Sequence, residues 1–165
     1  MPPSKKKVRR SKPDPSDPGA CRRVALDLLA RREHSRLELE RKLAKRGFPD
    51  DMIAPTLDEL EESGTLASAR FTESFIRARA AKGQGPVRIR AELAERGVAQ
   101  DQAVELLRDA GIDWVAVASA VRGKRFGIRR PRDFKERARQ ARFLQYRGFD
   151  SSQIGSALGS GEDLD

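Results

Sequence analysis

Apolar positions return at helical spacing along this chain, in short runs that each stop at a glycine. Leu39 and Leu43 lie one turn apart before Gly47, and Ile89 and Leu93 do the same before Gly97. In a third run only Leu144 keeps the pattern, before Gly148. The three stops nearly spell one another: LAKRGF at 43–48, LAERGV at 93–98 and LQYRGF at 144–149. Beyond each glycine the register resumes, with Ile53 and Leu57, then Ala103 and Leu107, then Ile154 and Leu158. A glycine after an arginine at the end of an amphipathic run predicts a left-handed C-cap, and the apolar residue that follows can fold back on the last turn. Each copy is therefore helix, glycine stop, short link, helix.

Helix starts are marked too. Ser35 with Glu38 and Asp133 with Glu136 have the spacing of capping boxes, and Pro86 suits a first helical turn. A further helix leads into each pair. Cys21–Arg32 carries the stripe Val24, Leu28 and Leu29; Arg70–Lys82 carries Phe71, Phe75 and Ala78; Trp114–Lys124 carries Trp114, Val117, Ala118 and Val121. No alternating strand pattern stands out. A repeat of this length signals stacked units. The expectation is an all-α chain of three tandem three-helix repeats forming an elongated, curved array. The units would span 20–64, 65–111 and 112–165, the last with a short flexible C-terminus, after a basic disordered tail at 1–19. A single helical globule with coincidental Arg-Gly ends is the alternative, and register kept on both sides of three glycines argues against it.

Charge changes the picture. The chain of 165 residues has a formal net charge of +9, so an acidic partner is expected, nucleic acid first and an acidic protein surface next. Residues 20–64 hold nine basic and ten acidic side chains, with Asp58, Glu59, Glu61 and Glu62 crowded at one helix end. Residues 112–165 hold eleven basic side chains, all between Arg122 and Arg147, where Asp133 and Glu136 alone are acidic. That window, RGKRFGIRRPRDFKERARQARFLQYR, passes from a helix end through a Gly/Pro-punctuated loop into the next helix. Lys135, Arg139 and Arg142 fall on one face of that helix. Such a stripe suits a phosphate backbone, adding affinity and salt dependence more than sequence preference. Candidate contacts are Arg122, Lys124, Arg125, Arg129, Arg130, Arg132, Lys135, Arg139 and Arg142. Of the interleaved aromatics Phe126, Phe143 and Tyr146, Phe143 has core spacing and Phe126 is the candidate for stacking on a base. The tail's Lys5, Lys6, Lys7, Arg9, Arg10 and Lys12 could tether DNA or read as a localisation signal.

Chemistry is scarce. One histidine, His34, and one cysteine, Cys21, give no metal cluster, disulfide or nucleophile–base pair. The GQGP turn lacks the lysine of a phosphate loop. Neither a signal peptide nor an apolar run near the roughly 20 residues of a membrane helix is present. The expected protein is soluble and cytoplasmic, works by binding, and needs no cofactor.

The stretch GTLASARFTESFIRARAAKGQGPVRIRAELAERGV, residues 64–98, resembles the central signature of the RecX family of recombinase regulators. The match runs through Gly64 and Leu66, Arg70-Phe71, Phe75, Arg77 and Arg79, the Gly83–Pro86 turn, Arg88-Ile89, Leu93 and Gly97-Val98. Ala67-Ser68 stand where the family usually carries acidic residues, and Ser68 is expected to cap the next helix instead. The resemblance covers about residues 20–160. It implies tandem three-helix repeats and a partner, the RecA protein on single-stranded DNA. Members lie in the groove of the RecA–DNA filament and inhibit ATP hydrolysis, strand exchange and filament growth in recombination and the SOS response. Arg70, Arg77, Arg88 and Arg90 of the middle unit then join the candidate filament- and DNA-binding set. A groove binder has no need to dimerise, so a monomer is expected, with no membrane partner. The rivals are a general nucleic-acid-binding helical-repeat protein that acts without RecA, and a helical adaptor for another acidic protein.

Overall fold

The computed structural model describes residues 11–159. Residues 1–10 of the tail expected at 1–19, and the last residues, 160–165, lie outside them. The end of that tail is not disordered, because the Asp17 N–H donates to the Asp14 carbonyl at 3.2 Å, Asp17 caps the first helix and Pro18 and Gly19 belong to it. Nine helices and no strand occur among the described residues. They are α1 (Pro18–Leu29), α2 (Arg36–Ala44), α3 (Asp50–Glu62), α4 (Ser68–Ala81), α5 (Pro86–Glu95), α6 (Gln100–Asp109), α7 (Trp114–Phe126), α8 (Phe134–Arg147) and α9 (Ser151–Leu158). Each successive trio encloses its own apolar cluster.

The glycine stops form as the sequence predicts. Gly47, Gly97 and Gly148 have φ of 95°, 80° and 94°, a region costly for any residue with a Cβ. Past each, the N–H of Phe48, Val98 or Phe149 returns to the carbonyl of Leu43, Leu93 or Leu144 at 3.3, 3.1 and 3.2 Å. Those three apolar side chains are buried against their own cores. The stop thus satisfies a helix-end carbonyl and contributes a core side chain together.

The starts are less uniform. Ser35 and Glu38 complete a reciprocal capping box. Asp133 accepts from the Glu136 N–H at 2.7 Å, but the Glu136 carboxylate reaches one residue further back, to the Arg132 N–H at 2.9 Å. Ser68 does not cap α4. It is the first helical residue, and its hydroxyl donates to Gln102 Oε1 at 2.9 Å, tying α4 to α6. Ala78 is exposed, and Ile76 is the buried member of its helix, because the α4 core stripe runs through Phe71, Thr72 and Ile76.

Two compact units divide the described chain, one up to Leu66 and one from Ala67 onward. In the first, Leu39, Leu43, Leu57, Leu60 and Cys21 are fully enclosed. Here Arg36 meets three carboxylates: Glu40 at 3.0 Å, Asp58 at 2.7 Å and Glu61 at 2.7 Å. Arg22 holds Glu59 at 3.0 Å. The acidic helix end is therefore largely neutralised within its own repeat.

In the second unit, the two trios are joined end to end. The first-turn N–H groups of α5 have no side-chain cap; instead Gly85 N–H donates to Arg147 O at 2.8 Å and Val87 N–H to Gly148 O at 3.0 Å. Orphan donors of one helix meet orphan carbonyls of another. A Cβ on Gly85 would fall inside the Gly148 backbone, and one on Gly148 inside the Arg88 backbone. This is the physical work of the GQGP turn.

Candidate nucleic-acid interface

The third trio differs from the second at two core positions. Eight residues before its glycine, where Leu39 and Ile89 stand in the other repeats, it has Gln140, 6% exposed. Four residues after the buried Ala118 it has Arg122, 7% exposed, as Ile76 follows Thr72. A buried polar side chain needs partners. Arg122 donates to Gln140 Oε1 at 3.3 Å, to the Arg129 carbonyl at 3.0 Å and to the Ile128 carbonyl at 3.3 Å. Arg122 is thus corrected from a phosphate contact to the internal hook of the basic loop. By drawing two loop carbonyls inward it turns the side chains of Ile128, Arg129 and Arg130 to solvent, with Ile128 93% exposed.

The loop 127–133 leaves α7 at Gly127, φ 86°, and enters α8 at Asp133. Between the loop and the first turns of α8 lies an open cleft of about 560 Å³. Arg125, Arg129, Arg130, Arg132 and Arg139 line it, with Glu136 as its acid. Lys124 and Arg125 stand in the last turn of α7, where the helix dipole favours cations. Lys135, Arg139 and Arg142 are all exposed on α8. Among the described residues, no basic side chain from Arg122 to Arg147 forms an ion pair with a carboxylate. A concentration of unneutralised guanidinium groups around a concave surface is suited to a polyanion.

Phe126 is half-buried and lines the cleft. It closes α7 and packs edge-on against Phe143, with ring centroids 5.3 Å apart. Arg139 and Arg125 lie 5.3 and 5.9 Å from its ring, so the aromatic pair supports cleft arginines. The exposed aromatics are Phe134 and Tyr146.

The middle-repeat candidates lie elsewhere in the second unit. Arg70 and Arg77 are exposed on α4 and Arg90 on α5. Arg77 shares a small cleft with Glu73 and Asp109. Arg88 is partly engaged, with Nε 3.2 Å from Glu92 Oε1. Sequence reasoning missed Lys82 and Arg147, which line a second groove of about 540 Å³ with Lys124, Arg125 and the apolar Val117, Val121 and Phe143. Their separation of 65 residues hides the pairing, in which Arg147 donates to the Lys82 carbonyl at 3.2 Å.

Among the described residues no three His, Cys, Asp or Glu side chains gather as metal ligands, and no helix is long and apolar enough to cross a membrane. Cys21 is buried in the first core, which pushes its thiol pKa up and keeps it protonated.

Family models for the first, second and third three-helix domains of RecX match residues 21–60, 69–107 and 112–158 in turn. A regulatory protein RecX from Pseudomonas entomophila is 52% identical over 147 residues, 89% of this chain and 94% of that protein. Another, from Halorhodospira halophila, is 50% identical over 146 residues, covering 88% and 91%. The crystal structure of RecX from Lactobacillus salivarius matches with a TM-score of 0.71 at 18% identity, over 86% of this chain and 94% of that one. At that identity the likeness concerns the fold.

Proposed function

The chain belongs to the RecX family, and from that premise we propose that it regulates the RecA recombinase by lying in the groove of the RecA–DNA filament. There it inhibits ATP hydrolysis, strand exchange and filament growth, acting in the cytoplasm as a monomer, by binding and without a cofactor. The observation that carries this reading is the unneutralised arginine cleft of the third repeat, set on a domain series of the RecX kind. Repeats in one chain can touch successive RecA protomers, and linked weak contacts gain through effective concentration. The third repeat meanwhile contacts the DNA backbone. Filling the groove excludes the incoming duplex, and tying protomers together opposes the motions of ATP turnover.

The test is a titration of RecA's single-strand-dependent ATPase at moderate and raised salt, with DNA in measured excess. Inhibition well below the amount that coats the DNA supports the filament as target. The same arginine cleft also suits a general nucleic-acid-binding protein that acts without RecA. That second reading is supported if inhibition appears only when the DNA is saturated.

A further inference from the structure

The basic face of α8 does not end at Arg142. Lys135, Arg139, Arg142 and Tyr146 stand at i, i+4, i+7 and i+11, so they project from one side of the helix. All four are exposed, while Gln140 and Leu144 hold the buried side. At a rise of 1.5 Å per residue the row is about 16 Å long. Tyr146 belongs to no apolar cluster, and 78% of it faces solvent. The guanidinium of Arg88 on α5 lies over the ring, 5.8 Å from its centroid, so a base would stack on the opposite face. A large aromatic surface left open beside aligned cations matches one polymer well: phosphates alternate with flat rings along a single nucleic-acid strand. Duplex DNA offers the cations the same charge but keeps its bases stacked inside, where an exposed tyrosine gains nothing.

We infer that this row is a track for one DNA strand, with phosphates on Lys135, Arg139 and Arg142 and a base stacked on Tyr146, and that the third repeat therefore prefers single-stranded DNA to duplex. The inference rests on the reading of the third repeat as the DNA-facing surface, and it adds the strandedness of the ligand.

Fluorescence anisotropy of the full chain with three labelled probes of one length tests it: oligo(dT), an abasic strand and a duplex. Oligo(dT) is expected to bind about tenfold more tightly than the abasic strand, the scale of one base–aromatic stack. Tyr146→Ala should bring oligo(dT) to the abasic level and leave the other two probes unchanged, and Tyr146→Phe should keep the preference. Unchanged oligo(dT) binding by Tyr146→Ala, or equal loss on all three probes, overturns the stacking. The triple variant Lys135→Gln, Arg139→Gln, Arg142→Gln should weaken all three probes. If it weakens none, the underlying assignment of this surface to DNA fails as well. If it weakens all three while Tyr146→Ala is silent, the stacking alone fails. Far-ultraviolet circular dichroism of each variant confirms that the helices are kept.

Discussion

The first and third repeats carry similar numbers of basic residues, nine and eleven, and employ them in opposite ways. In the first, Arg22, Arg23, Arg32 and Arg36 each meet a carboxylate, and Arg36 alone meets three. In the third, the buried and half-buried arginines bond to carbonyls: Arg122 to the loop, Arg137 to Gly159 and Arg147 to Lys82. A guanidinium satisfied by a carbonyl keeps its charge uncancelled. The difference teaches that the count of basic residues in a block says less about its field than what those residues are paired with.

The sharpest way to break the comparison is to reverse charge in each repeat by the same amount. Changing Arg129, Arg130, Arg132 and Lys135 to Glu should lower DNA affinity by on the order of a hundredfold. It should also flatten the dependence of log affinity on log salt by about three for single strands. ATPase inhibition should vanish with the helical signal intact. Reversing the exposed Arg31, Arg41, Lys45 and Arg46 of the first repeat changes net charge equally and should cost far less. Equal losses in binding titrations of the two variants would mean that net charge alone decides.

Next in size is the hook. Arg122→Leu strands Gln140 in the core, at a cost of about 1–3 kcal/mol in denaturant unfolding. Adding Gln140→Leu rebuilds the apolar pair of the second repeat and should restore much of that stability. Neither variant holds the loop carbonyls, so both should bind DNA roughly several-fold more weakly, with no change at an exposed arginine. A double variant that is both stable and fully able to bind would remove the hook's functional role.

Gly85→Ala should cost about 1–3 kcal/mol by forcing a methyl into the Gly148 backbone. Amide exchange should quicken in α5 and α8 and stay unchanged in α1 to α3.

The smallest effect belongs to the first repeat. His34 is 2% exposed, with Nδ1 3.0 Å from the Arg32 carbonyl and Nε2 2.9 Å from Lys42 Nζ. Burial, with the Arg32 and Lys42 charges, holds its pKa below the usual 6.5, so the folded ring stays neutral and accepts from Lys42. A lowered folded pKa means that the stability is fully present above about 6.5 and is lost as pH falls below it. Thermal melts between pH 7.5 and 5.5 should show that loss in the first unit, and His34→Asn should flatten it. The second unit has no histidine and should be indifferent over this range.

What the sequence disclosed depended on how local the physics was. The stops at Gly47, Gly97 and Gly148 need only a few neighbouring residues, so period and backbone sign were both readable. The fate of Arg122 was not, because nothing within its own helix says that the facing position is Gln140 and not an aliphatic residue. A sharper signal was available: the missing apolar partner of Leu144, eight residues before Gly148, marks a polar core position that must be satisfied from somewhere. The edge-on packing of Phe126 was hidden for a related reason, since its partner Phe143 comes from the next helix. The meeting of Gly85 with Gly148 crosses two repeats and leaves no periodic trace.

That last meeting has a thermodynamic consequence. In most repeat chains each module has its own stability and a modest coupling to its neighbour. Here the start of α5 and the end of α8 complete one another's hydrogen bonds, so fraying either exposes unpaired groups in both. The second and third modules should therefore melt as one cooperative block, with the arginine cleft protected by a helix start more than forty residues upstream.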